Sequence, residues 1–153
     1  MLIALLIVLM IAIDQAVKYW ALNILSTVDT MPLIEGVFHL TYVENRGAAF
    51  SILQNQRWFF LLITPIILIG IFYVLKKELI CTRVGRCAMY LIAAGAVGNL
   101  IDRAFRGFVV DLFDFCLIHF PVFNVADVYI VCGVALFFYY ILFQADKAEQ
   151  KHG

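Results

Sequence analysis

The sequence predicts an all-α integral membrane protein: four transmembrane helices, with a small β-cradle and an interfacial helix on the outer (periplasmic) face. Three observations carry that expectation. Hydrophobic residues make up 65% of the 153 and charged residues only 14%, against about half and about a quarter in soluble domains. Four apolar stretches reach the roughly 20 residues needed to cross a ~30 Å hydrocarbon core. The polar residues within those stretches gather at one depth. The length suits a single membrane domain over residues 1–153, and the zero formal charge gives no sign of nucleic acid as a partner.

The first span is expected over about 2–24. Its start, "MLIALLIVLMIAIDQAVKYW", has no basic n-region and no A-x-A site after the apolar run, so it reads as a retained helix and not as a signal peptide. An outer segment follows, about 25–57, where "GVFHLTYVENRGAAFSIL" mixes β-branched and aromatic residues with Gly36 and Gly47 and predicts a small β-structure. The second span, about 58–75, holds Pro65 and Gly70, which neighbouring helices can accommodate. A loop at about 76–84 lies in "KKELICTRVGR", whose Lys76, Lys77, Arg83 and Arg86 assign it to the cytoplasm. Four spans then place both termini there, including the tail 144–153 with Lys147 and Lys151. The third span, about 85–104, carries small residues at Ala94 and Gly98 that permit close helix packing. The stretch "GFVVDLFDFCLIHFPVF" within 105–123 is too apolar for a solvated loop and is expected along the interface as a short helix ended by Pro121. The fourth span runs over about 124–143.

An ionisable group in hydrocarbon costs several kcal/mol unless it is paired or faces a cavity, so each one is a candidate site residue. Asp14 lies about 20 Å along the first helix at 1.5 Å per residue. Lys18, four residues on, shares its face, and a mutual ion pair is the simplest account of both. Asn99, Asp102 and Arg103 close the third span, and Asn124 and Asp127 open the fourth at the same level. Asp102 reads as a helix-end charge facing headgroups; Arg103 fits that role or a bidentate clamp on a carbonyl or phosphate equally well.

Asp111 and Asp127 are different, because both have apolar neighbours and no basic residue within four positions. Two carboxylates brought together in a dry site share a proton, leaving one to accept a proton from water and one to polarise a carbonyl. Spacing alone does not exclude Asp102 or Asp114 from such a pair, although Asp114 reads as a solvated loop residue. Asn124 shares a helical face with Asp127, and Asn45 and Asn99 are neutral donors suited to a peptide backbone. The four cysteines show no zinc spacing and read as free thiols. His39 and His119 have no partner pattern for a metal or a nucleophile triad, and His152 is in the tail. No metal or organic cofactor is expected.

Five stretches, "DQAVKYW", "ENRGAAFSIL", "GAVGNLIDR", "GFVVDLFDF" and "FPVFNVADVYI", occur in this order across nearly the whole chain. Together they resemble the lipoprotein signal peptidases, also called signal peptidase II. The resemblance implies a bacterial inner-membrane aspartic endopeptidase that removes the signal peptide of diacylglyceryl-modified prolipoproteins, cutting just before the lipidated lipobox cysteine. It implies a catalytic pair at Asp111 and Asp127, a pocket lined by Asn45, Asn99, Arg103 and Asn124, and a supporting role for Asp14, Lys18 and Asp102. It also implies contact with membrane lipids, inhibition by the cyclic peptide globomycin and a monomer. Val128 and Tyr129 depart from the small or polar residues frequent in the family at those positions. Two other readings compete: a proton-coupled transporter subunit, which expects carboxylates spread through the membrane depth, and a non-catalytic scaffold.

Overall fold

The computed structural model describes residues 2–47 and 54–145. The stretch 48–53 of the first outer segment, and Lys147, Lys151 and His152 of the tail, lie outside the described residues. The described chain runs α1 (Leu2–Asn23), β1 (Thr30–Ile34), β2 (Phe38–Asn45), α2 (Arg57–Lys76), α3 (Arg83–Phe105), β3 (Val109–Asp114) and α4 (Val125–Phe143), with single 3-10 turns at Leu25–Thr27 and Cys116–Ile118. All four helices are long and apolar enough to cross a membrane.

The burial pattern inverts that of a soluble protein. The only buried residues of α1 are Asp14, Lys18 and Ala21, while Leu2, Leu5, Val8 and Leu9 are exposed. Only Ile71 is buried in α2, and Leu62, Ile66 and Ile69 point outward. Apolar side chains outside and ionised ones inside is the arrangement a bilayer imposes, because lipid solvates the first and cannot solvate the second.

Helix α3 is the centre of the bundle and packs on α1, α2 and α4. Gly98 is a close meeting point of three helices: a Cβ there would lie 2.6 Å from Asp14 Oδ2 and 3.2 Å from Ala126 Cβ. Gly133 does the same for α4, where a Cβ would lie 2.7 Å from Ile92 Cγ1 and 2.9 Å from Ala88 O. Small residues therefore bring three backbones close around the polar groups they carry.

The strands form one antiparallel sheet in the order β1-β2-β3. This corrects two expectations. The sheet does not come from the first outer segment alone, since its third strand lies between α3 and α4. The interfacial helix expected there is instead β3 followed by a single 3-10 turn, with His119 left-handed at φ 51°. The cause is the period of two in "VVDLFD": Val110 and Leu112 pack with Ala21 and Leu25 at the end of α1, and β2 supplies the pairing edge. A short helix would satisfy neither. The backbone N–H groups of Leu112 and Phe113 donate further to Phe123 O at 3.0 and 2.8 Å, tying β3 to the entrance of α4.

Candidate active site

Val110 and Leu112 face the core, so Asp111 between them faces the other way. Two asparagines hold its carboxylate. Asn45, the last residue of β2, donates from Nδ2 to Asp111 Oδ2 at 2.8 Å, and its own Oδ1 accepts from Gly47 N at 2.9 Å, which fixes the amide's direction. Asn124 donates from Nδ2 to Asp111 Oδ1 at 2.6 Å.

Asn124 is also the N-cap of α4. Its Oδ1 accepts from Asp127 N at 3.0 Å, and its backbone N–H donates to Asp127 Oδ2 at 3.2 Å, completing a capping box. One side chain thus starts the helix and couples Asp111 to Asp127. The other oxygen of Asp127, Oδ1, accepts from Asn99 Nδ2 at 2.8 Å. Asn99 is oriented in turn by Lys18, whose Nζ donates to Asn99 Oδ1 at 2.8 Å. With the ammonium on the oxygen end, the amide can present only its donor end to Asp127.

Lys18 is fully buried, as are Asp14 and Asp102. It pairs with both carboxylates at 3.0 Å, so the i,i+4 pair anticipated from spacing is present with a second partner. Asp14 Oδ1 accepts from Ala126 N at 2.9 Å in the first turn of α4, and Asp102 Oδ2 accepts from Val110 N at 3.2 Å. Arg106 pairs with Asp102 as well. Two acidic and two basic side chains, three of them fully buried and Arg106 half-buried, thus form a quartet that joins α1, α3, α4 and β3. Among the described residues every buried side-chain nitrogen and oxygen has a partner.

The quartet corrects the placing of Asp102, which faces the interior and not headgroups. Spacing in sequence could have shown Arg106, four residues after Asp102, as its partner. No such signal marks Gln15, which donates to Gly98 O at 3.1 Å and Asp102 Oδ1 at 3.2 Å and accepts from Arg106 Nη1 at 3.0 Å.

Asn45, Asn99, Arg103, Asp111 and Asp127 converge on one cavity of about 870 Å³, whose apolar wall includes Phe115, Ile118 and Val131. Asn124 is not on that wall: it is fully buried behind the two aspartates, which corrects its expected place in the pocket lining. Arg103 is held by its own donation from Nη2 to Gly47 O at 2.8 Å and by the Phe60 ring at 4.4 Å. Val128 lines the cavity as well. Asp114, three residues along β3 from Asp111, points to the opposite face and accepts from Thr41 Oγ1 at 2.9 Å.

Burial, and next to it the negative charge of Asp127, push the Asp111 carboxyl up from 3.8 to about 7, against the two amide hydrogen bonds that favour its ionised form. A carboxyl poised at that level can hold or release a proton at neutral pH.

The family model described as Signal peptidase (SPase) II matches residues 6–143. This chain belongs to the signal peptidase II family. The lipoprotein signal peptidase of Clostridioides difficile is 48% identical over 150 residues, covering 97% of this chain and all of that protein. That of Brevibacillus brevis is 49% identical over 126 residues, covering 82% of this chain and 85% of its own. Two solved structures, each described as a bacterial membrane enzyme, share 35% identity. One superposes with a TM-score of 0.85, covering 92% of this chain and 87% of its own, and the other with 0.82, covering 93% of each. The chain is thus a multi-pass membrane protein with a small sheet at one end of its bundle, and its family is one of peptidases. Nothing in this membership favours a transporter subunit, and the polar residues cluster at the end of the bundle that carries the sheet.

Proposed function

We propose that the chain is an aspartic endopeptidase that removes the signal peptide of diacylglyceryl-modified prolipoproteins, cutting just before the lipidated cysteine, with Asp111 and Asp127 as the catalytic pair. The observation that carries this reading is the single side chain of Asn124 bonded to the Asp111 carboxyl and to the Asp127 backbone N–H at the edge of a mostly apolar cavity. Asp111, pushed up to about 7, holds the shared proton and polarises the scissile carbonyl. Asp127, held by Asn99 and the Asn124 backbone, takes a proton from the attacking water. The tetrahedral intermediate collapses as that proton passes to the amine of the departing lipidated cysteine, with no covalent acyl-enzyme. Asn45 and Asn99 each have an amide on the cavity wall to align the substrate backbone, and Arg103 offers a guanidinium to a carbonyl oxygen.

In this reading the sheet and the Cys116–Ile118 turn lie at the outer face of the bacterial cytoplasmic membrane, with both termini cytoplasmic and the turn along the interface. The exposed Phe115, Leu117, Ile118 and Phe120 support that placement, since a water-facing turn has no use for four such side chains. The substrate's signal helix packs among the spans while its acyl chains stay in lipid. The protein acts as a monomer, is bathed by membrane lipids and is inhibited by globomycin. The test is cleavage of a diacylglyceryl-modified lipobox peptide by the purified protein. Asp111→Asn and Asp127→Asn are each expected to abolish it while melting as folded proteins; full cleavage by either variant would remove the pair from the mechanism.

A further inference from the structure

The other face of the sheet carries a second cluster. His39 and Asp114 are direct partners across the β2-β3 ladder, and Cys116 follows at the start of the 3-10 turn. Their ligand atoms all lie within 4.8 Å of one another, and all three side chains are half-buried. At ~3.4 Å per residue the cluster lies about 10 Å along β3 from Asp111. The sequence shows no metal partners for His39; strand register, which spacing does not reveal, supplies them.

We propose that His39, Asp114 and Cys116 form a binding site for a zinc-like divalent transition-metal ion, with water as the fourth ligand. The donors decide the class of ion. Thiolate and imidazole suit zinc and its neighbours, whereas calcium and magnesium take oxygen ligands. Tetrahedral bonds of ~2.0–2.3 Å place ligand atoms about 3.3–3.8 Å apart, so small side-chain rotations bring the three atoms onto one ion. Asp114 is already braced from outside the site: Thr41 Oγ1 donates to Oδ2 at 2.9 Å, leaving Oδ1 for the metal, in the way outer hydrogen bonds orient ligating carboxylates. The cost is small. The imidazole gives up one contact, the 3.2 Å donation from Gly36 N to Nε2, because a metal on either ring nitrogen takes that lone pair or puts the proton there. The thiol gives up a 3.7 Å donation to Asp114 O and releases its proton to solvent as the sulfur–metal bond forms. Occupancy ties β2 to the Cys116–Ile118 turn, and through Phe115 and Ile118 it reaches the wall of the catalytic cavity.

The probe is Co²⁺ titrated into the purified, metal-free protein in detergent. One equivalent is expected to give sulfur-to-cobalt charge transfer in the near ultraviolet and tetrahedral d–d bands in the visible, both removed by excess Zn²⁺. Cys116→Ser is expected to abolish the charge-transfer band, and His39→Ala and Asp114→Asn to weaken binding at least tenfold. Joint replacement of Cys81, Cys87 and Cys132 by Ser is expected to change nothing. A native protein without the sulfur band, or a Cys116→Ser variant that keeps it, overturns the proposal. A second measurement does not depend on the ligand variants folding. In the chain whose only cysteine is Cys116, Zn²⁺ is expected to slow maleimide labelling at least tenfold, and an unchanged labelling rate also overturns the proposal.

Discussion

Asn124→Asp separates the two jobs of one side chain. As an N-cap, Asp equals Asn, so the Oδ1 acceptor for Asp127 N survives and α4 keeps its start. The Nδ2 donor to Asp111, at 2.6 Å the shorter of the two amide bonds on that carboxylate, is lost. A hydrogen bond contributes about 0.5–1.5 kcal/mol to a protonated carboxyl and about 1.5–3 kcal/mol to an ionised one, and Asp111 stands between the two states at pH 7, so cleavage at pH 7 is expected to fall about 10-fold. The new carboxyl also stands in a fully buried position beside two others, and like charges in a dry site cannot all ionise. Acidification protonates it and lets it donate to Asp111, so part of the loss is expected to return below pH 6. Asn124→Ala is the comparison: it removes donor and cap together, and the lost cap costs about 1 kcal/mol in thermal unfolding. The assay is peptide cleavage across pH, with melting temperature measured in the same detergent. Cleavage by Asn124→Asp within twofold of the native protein at pH 7 refutes the coupling of the pair through this residue.

The raised Asp111 carboxyl makes stability depend on pH with a definite sign. The native state keeps the proton up to about pH 7, whereas the unfolded chain loses it near 4, so stability contributed at low pH falls by roughly 4 kcal/mol as pH rises through that window. The difference between native and Asp111→Asn melting curves against pH isolates this effect; parallel curves contradict it. Cleavage is likewise expected to decline above about pH 7 as Asp111 loses its proton. Lys18→Met strips Asp14 and Asp102 of the cation they share at 3.0 Å, a loss of about 3–5 kcal/mol in unfolding experiments. It also frees the Asn99 amide to turn its oxygen toward Asp127, so residual folded protein is expected to cleave poorly. Gly98→Val places a side chain against Asp14 and Ala126 and is expected to lower stability by about 1–3 kcal/mol or more. Asp114→Asn leaves the Asp111 face of β3 untouched and is expected to retain most cleavage activity, which kinetics on the same peptide checks.

The membrane class was legible because hydropathy over some 20 residues is a local, one-dimensional property, and the four helices followed from it. The Asp14–Lys18 pair was legible for the same reason, since a single helix turn separates the two residues. Apolar surroundings singled out Asp111 and Asp127 before any contact was known. What pairs residues far apart in the chain could not be read this way. The strand 109–114 needed β2, whose Asn45 is 66 residues from the Asp111 it holds, to become a strand at all. Only that pairing turned Asp111 toward the cavity and Asp114 away from it. Asp102 looked like a surface charge because its partner Lys18 is on another helix, and His39 looked alone because Asp114 and Cys116 reach it only through the ladder. Local composition decided that this chain lives in a bilayer and carries acids there. The long-range register of one strand and the cap of one helix decided which acids meet.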